Sequence, residues 1–411
     1  MTRRGRGAIG RAGDWAIAAA LVGFWGWMVA TIAADRGLFD WVGVDYALYA
    51  AGAKIVGSAD PTAAYRIDDV ARVIAPFATS YGAGAGGLKV GPLPYPAPSF
   101  FLYAPFATLT PVPGFVLWAA ANLGLAWWVI RRRVGTIPGV GAPGALATMV
   151  LASFPVGYAV MVGQPVVVLM VAMDRAIAAW GRGRDYEGGL WLGVLLLKVQ
   201  YPMVFVLVLV AKGRWRSLAG FATTAGLILL ASLAAFGPSW PVDYLATVRS
   251  MAGFRDVQAL IFPHQMINWR GFLVRSLPPG ATESTGLALN AALSALTLLA
   301  LIPIWRGPWR VDGPGFPARI LATVLATMLV SFHNHVHGAI LVVPPALALL
   351  ARGGGPRLIP PLLRFGLFAP IALFALTRRV DLVVSSLLAA ILAAYLVLLA
   401  RSGELDREPS A

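Results

Sequence analysis

Few side chains in this sequence can do acid–base or ionic chemistry, and the ones that can sit in short stretches. One carboxylate, Asp45, lies in Trp41-Val42-Gly43-Val44-Asp45-Tyr46-Ala47-Leu48-Tyr49, just past a long apolar run. At a helix exit such a carboxylate is either solvated surface or the base of a membrane enzyme. Lys198, with Gln200 and Pro202, interrupts the apolar stretch 188–211. It either snorkels towards water or faces a cavity and holds an anion such as a phosphate. His333, His335 and His337 alternate in Ser331-Phe332-His333-Asn334-His335-Val336-His337. If that stretch is helical, His333 and His337 share a face and His335 points elsewhere. No carboxylate is near enough in sequence to complete a metal site with them. Capping, phosphate binding and protonation of a leaving group are the other readings. Arg270 and His264 stand among aromatics in Phe262-Pro263-His264-Gln265-Met266-Ile267-Asn268-Trp269-Arg270-Gly271, a setting that suits a phosphate, a sugar face or an interfacial anchor.

The elements that position these groups follow from composition. The chain has 411 residues, 58% hydrophobic and 12% charged, against about 25% charged in a soluble domain. Its mean hydropathy is +0.74. Lipid must be the solvent for most of it, and long unbroken apolar runs point to helices rather than a barrel. There is no cysteine, which excludes disulfides and thiolate-bound metals. The net charge of +15 falls largely in short loops between apolar runs. That is the pattern of cytoplasmic loops, and it needs no nucleic-acid partner. Walker, dinucleotide-binding, zinc-protease and nucleophile-elbow motifs are all missing.

The basic loops set a topology. Arg3, Arg4, Arg6 and Arg11 place the N-terminus in the cytoplasm, and the run 15–34 reads as a retained first helix. A long external loop spans about 35–111. It contains an amphipathic helix at 45–57, a glycine-rich bend at 82–87, a proline-rich stretch at 91–98 and a re-entrant or interfacial segment at 99–110. Further spans are expected at 112–130, 144–162 and 165–180, with Gly163-Gln164 in an external turn. The stretch 188–211 reads as a hairpin bent at 198–202, because one straight span would put Lys212, Arg214 and Arg216 outside. Spans at 217–236, 286–305, 319–332, 337–350, 358–376 and 382–400 follow, with a second external loop at 237–284. The expectation is one all-α polytopic domain over 1–400 with about twelve spans (roughly ten to thirteen), both termini cytoplasmic, and a short tail at 401–411.

The order of the motifs resembles a family. An aspartate follows the first helix, Tyr95-Pro96-Ala97-Pro98 leads to an apolar run ending Pro105-Phe106-Ala107-Thr108-Leu109-Thr110-Pro111, and Trp118 and Asn122 come next. Gly163-Gln164, Lys198 with Gln200 and Pro202, Lys212-Gly213-Arg214-Trp215-Arg216 and the histidine cluster complete it. This is similar to the polyprenol-phosphate-mannose-dependent mannosyltransferases of the GT-C superfamily, over roughly residues 40–350. The resemblance implies an inverting, multi-pass cell-membrane glycosyltransferase with its active site on the external side. It would need no cofactor or metal, and would pass a sugar from a polyprenyl-phosphate donor to a glycolipid or glycan. It maps the base onto Asp45. The donor phosphate and substrate would be held by Lys198, His333, His335, His337, Arg270, Gln164, Gln200 and Tyr95. The family's Ser-Pro or Trp in the histidine cluster is replaced here, which leaves the acceptor open. A transporter or flippase of a lipid-linked sugar is the rival, but such folds show internal repeats and short loops on both sides.

Overall fold

Backbone polar groups in hydrocarbon must find partners within the protein, and helices supply them. The computed structural model describes residues 3–36, 42–80, 93–250, 253–254, 263–353 and 355–405. Among these residues the regular structure is helical, and one isolated bridge joins Met266 to His335. The glycine-rich bend at 82–87, residues 91–92 of the proline-rich stretch and the tail from 406 lie outside the described residues.

The first helix, α1 (Arg3–Arg36), is long and apolar enough to span. Two helices follow before the next full-length span, α2 (Val44–Val56) and α3 (Ile67–Ser80). The helix expected at 45–57 is therefore present, but it is not amphipathic. It is buried on nearly all sides, with Lys54 as its one exposed residue. The amphipathic helix of this segment is α3, which opens on Asp68 and Asp69. The re-entrant stretch forms two short helices, α4 (Ala97–Phe101) and α5 (Ala104–Ala107), each with proline in its first turn.

A full-length span, α6 (Pro111–Val134), runs from Pro111 to Arg131-Arg132-Arg133. The third expected span is broken into α7 (Pro143–Leu151) and α8 (Phe154–Val162), bent by 52°. The fourth is α9 (Val166–Trp180). Its Asp174, fully buried, pairs with Arg133 of α6 and with Arg175.

The stretch 188–211 is a hairpin, as the charge pattern required. Helix α10 (Asp185–Val194) leads to a turn through Lys198 and Tyr201, and α11 (Met203–Ala211) returns. The two ends meet again where Arg214 forms an ion pair with Asp185. Helix α12 (Trp215–Phe236) lies against α10 at closest approach through Gly189, where a Cβ would sit 1.9 Å from the Ser217 carbonyl oxygen.

The segment between α12 and α15 carries α13 (Trp240–Ser250) and α14 (Trp269–Ser276). Trp240 donates to the Tyr65 hydroxyl, which donates to the Tyr95 carbonyl, so this segment is joined to the one between α1 and α6. The chain continues as α15 (Glu283–Leu299), capped by Thr282, and α16 (Leu301–Ile304), then α17 (Phe316–Val330) and α18 (Val343–Arg352). Two spans, α19 (Ile359–Thr377) and α20 (Val380–Ala400), close the bundle. Among the described residues six helices are long and apolar enough to cross a membrane, or seven with the bent pair. The other expected spans are shorter helices or a hairpin; among them α9 and α17 are buried along nearly their whole length, while the hairpin is partly exposed.

The topology sorts the molecule into two ends. α6 starts beside Tyr46 and finishes at three arginines. The hairpin starts and finishes at Asp185 and Arg214, with Lys198 at its tip. α17 carries Arg319 in its first turn and finishes at Ser331. Asp45, Lys198 and the histidines therefore gather at the end opposite the arginines.

Candidate active site

The cradle of Asp45 is built by aromatic packing and one glycine turn. Gly43, in the left-handed region (φ 73°), starts α2, and its N–H donates to the Met161 carbonyl at 2.8 Å. Asp45 falls in the first turn of α2, where the helix dipole favours an anion. Below it four rings stack. Tyr95 lies 4.7 Å from Tyr49, Tyr49 lies 4.6 Å from Tyr103, and Tyr103 lies 4.0 Å from Trp118. Tyr103 and Trp118 both donate to the Gly163 carbonyl, at 2.8 and 3.2 Å. Gly163 ends α8 with φ 83°, and a Cβ there would lie 2.4 Å from the Tyr46 Cβ. Only glycine satisfies both the backbone and the contact. The turn delivers the buried Gln164 side chain to the neighbourhood of Asp45, whose ionised form it favours.

The cationic side is built from the hairpin tip and the loop after α17. Lys198 is buried; its Nζ lies 3.3 Å from His337 Nε2 and 5.5 Å from the Tyr95 ring centroid. Ser99 of α4 donates to the Leu197 carbonyl, which fixes this tip against the re-entrant segment. Gln200 donates its amide to the His333 carbonyl, and the Tyr201 hydroxyl donates to Asn334 Oδ1, each at 3.1 Å. From the other side Ile267 N–H donates to the Asn334 carbonyl at 2.9 Å, and Asn268 Nδ2 to the Ser331 carbonyl at 2.6 Å.

Residues 331–335 are thus held in a non-helical strap, and helix of the tighter 3₁₀ kind begins only at Val336. The condition for separating the histidines by face is not met. Their rings form a row instead, with centroids 4.5 Å apart for His333 and His335 and 5.8 Å for His335 and His337.

The structure therefore brings Asp45, Gln164, Tyr95, Lys198 and His337 together, with His333 and His335 continuing the row. Gln200 serves the strap by its hydrogen bond to a main-chain carbonyl. Arg270 is buried, stacks its guanidinium 4.1 Å over Phe332, and donates to the carbonyls of Gly253 and Phe254. It acts on the site through its charge, which reaches His333. The side chain of His264 lies outside the described ones. Tyr103 was missed by sequence reasoning, since it lies in an apolar run with no polar neighbour to mark it.

Electrostatics follow from burial. Asp45 is partly shielded from solvent, and desolvation pushes its carboxyl above the usual range; the Gln164 amide and the Lys198 charge pull the other way. Tyr49 and Tyr103 are pushed up by burial, with the Asp45 charge adding to it. His333 is pushed down to about 3 by burial, reinforced by Lys198 and Arg270, so it is neutral at physiological pH. A carboxylate and an ammonium placed near one another beside a stack of tyrosines can accept a proton from one molecule while stabilising an anion on another.

Glycosyltransferase family 87 matches residues 93–332, more than half of the chain. No curated protein and no solved structure matches. The matched residues include Tyr95, Gln164, Lys198, Gln200 and Arg270; Asp45, His333, His335 and His337 lie outside them.

Proposed function

The chain belongs to glycosyltransferase family 87, and from that premise we propose that it is an inverting enzyme moving a sugar from a polyprenyl-phosphate donor to a glycolipid or glycan. The observation that carries this reading is that Asp45 and Lys198 stand close enough at one end of the bundle for the Lys198 charge to act on the carboxylate, while Lys198 also contacts His337. Asp45 takes the proton of an acceptor hydroxyl as that oxygen bonds the sugar's anomeric carbon. The bond from that carbon to the phosphate oxygen breaks in the same step, and its electron pair leaves with the polyprenyl phosphate. Lys198 and His337 receive the growing phosphate charge, with His333 and His335 extending the row. Tyr95, the least buried ring of the stack, offers a flat apolar face to a sugar. The site end lies away from the arginines, so the positive-inside rule supports an external active site. Mannose as the donor sugar rests on the resemblance of the motif order.

The test is direct. Purified protein in lipid nanodiscs is incubated with labelled polyprenyl-phosphate mannose, glucose or arabinose and a lipid extract from membranes that carry the protein. Label should pass to a new product with the wild type and not with Asp45→Asn. Full transfer by folded Asp45→Ala would remove Asp45 as the base. Label that crosses a vesicle membrane without forming a product would favour a flippase.

A further inference from the structure

One buried polar atom beside Asp45 has no use in this scheme. Gln164 is 4% exposed, and its side-chain oxygen, Oε1, is buried without a hydrogen-bond partner. The turn that carries this amide packs against Tyr46, next to Asp45, and the amide favours the ionised form of the Asp45 carboxylate. A carboxylate only accepts, so the NH₂ group must be the end turned to it and the oxygen is the end left over. The side chain is enclosed by the protein, which leaves it little room to turn the oxygen to water. The backbone that carries it is fixed by the left-handed Gly163, whose carbonyl is held by Tyr103 and Trp118. A buried acceptor left unpaired in the free protein is costly, and one placed against a catalytic base marks where a donor of the substrate belongs.

We infer that Gln164 is a positioning residue with two ends: its NH₂ group orients Asp45, and its Oε1 accepts a hydrogen bond from a second hydroxyl of the acceptor, on the carbon next to the one being glycosylated. The acceptor is then a sugar or polyol with neighbouring hydroxyls rather than an isolated alcohol such as a serine or threonine side chain. The inference rests on Asp45 being the base. No covalent change occurs at Gln164; it makes and breaks hydrogen bonds only. The groups facing Asp45 are Gln164, Lys198 of the hairpin tip, Tyr49 of its own helix, Tyr95 and Tyr103 of the re-entrant segment and Tyr158 of α8. Among them Gln164 and Lys198 favour the ionised carboxylate.

The experiment has two arms. In the first, labelled product formed by the wild type from the membrane lipid extract, with whichever of the three donors is active, is subjected to linkage analysis. The new bond should lie on a carbon whose neighbour carries a free hydroxyl. In the second, Gln164→Met is compared with the wild type, with Gln164→Asn in its place if the methionine variant melts early. Transfer should fall by about 10- to 100-fold through the acceptor KM and kcat, with the donor KM unchanged. The acid limb of the pH–rate profile should move to higher pH, because the carboxylate loses a group that favours its ionised form. A bond on an isolated hydroxyl, or a Gln164→Met effect confined to the donor KM, overturns the inference and leaves the glycosyltransferase reading of the site standing. No labelled product from any of the three donors overturns both.

Discussion

The turn at Gly163 holds both halves of the basic side of the site, and its substitution by alanine has a magnitude that follows from geometry. Two penalties apply. An alanine at φ +83° sits in the left-handed region, which costs about 1–2 kcal/mol. Its Cβ would lie 2.4 Å from Tyr46 Cβ, 2.9 Å from Tyr46 N and 3.0 Å from Tyr46 Cα. Two of these atoms are backbone, so no side-chain rotation relieves the clash, and overpacking of this kind costs about 1–3 kcal/mol more. Gly163→Ala should therefore destabilise the protein by about 2–5 kcal/mol. Gly139 supplies the control: it has φ +73° and nothing within 4 Å of a built Cβ, so Gly139→Ala meets the backbone penalty alone. The activity consequence is larger. Restoring ordinary contact requires a displacement of about 1 Å between Gly163 and α2, which carries Asp45, and misplacement of that size costs on the order of 10²-fold in rate. Thermal unfolding of both variants in the same detergent, followed by transfer assays on the folded fractions, tests this. Equal losses of midpoint in the two variants, with transfer retained by Gly163→Ala, would refute the close approach of the turn to Tyr46.

Other outcomes follow from the same structure. Asp45→Asn should abolish transfer without lowering the unfolding midpoint at pH 7. The folded-state pKa of Asp45 is raised by burial, so its ionised form opposes folding at neutral pH and this cost is absent in acid; a lower midpoint than wild type would contradict that sign. For the same reason the wild-type rate should fall on the acid side at a pH above that of an ordinary aspartate, as read from a pH–rate profile. Lys198→Met should reduce kcat by about 10²–10³-fold and move that acid limb further up, because the charge that favours ionised Asp45 is gone; an unchanged limb would separate the two residues. Arg133→Ala, at the opposite end, should cost about 1–3 kcal/mol, because Asp174 loses one charged partner but keeps Arg175, and should leave both KM values of the folded enzyme unchanged in steady-state kinetics.

What the sequence made legible was decided by charge more than by hydrophobicity. The hairpin at 188–211 could be read because Lys212, Arg214 and Arg216 had to return to the side of Arg182 and Arg184, and the Arg214–Asp185 pair is how they do so. The all-helical class followed from continuous apolar runs. Helix length was less legible. Residues 144–162 and 319–350 are as apolar as true spans, and only packing shows that they bend or stop short. An amphipathic helix is expected at 45–57, but Tyr46 and Tyr49 of α2 are covered by Tyr103 and Phe115, which come later in the chain. The same limit applies to the site. Asp45, Lys198 and the histidines stood out as polar groups in apolar surroundings. Tyr103 did not, because its role depends on a contact with Gly163, sixty residues away. The strap at 331–335 was illegible for a related reason: besides the bonds of Ser331 and Asn334 back to α17, its conformation is set by Gln200, Tyr201, Ile267 and Asn268, which are distant in sequence.

The chemistry sits on breaks in helices, and the hydrogen-bond ledger explains how that is sustained. Every break frees backbone groups that lipid cannot satisfy. Here the breaks satisfy one another: Tyr103 and Trp118 cover the Gly163 carbonyl, and Gln200, Asn268 and Ile267 cover three carbonyls of the strap. The residues used for this lie directly beside the ones that carry charge, so the groups that pair the backbone also aim Asp45, Lys198 and the histidines. Long spans such as α12 and α15 are largely exposed along their length and contribute a lipid-facing wall. A substitution that frees one strap carbonyl should therefore disturb the site before it unfolds the bundle, whereas one in the wall should do neither. The division places precision in the short buried elements and leaves the long ones to tolerate change.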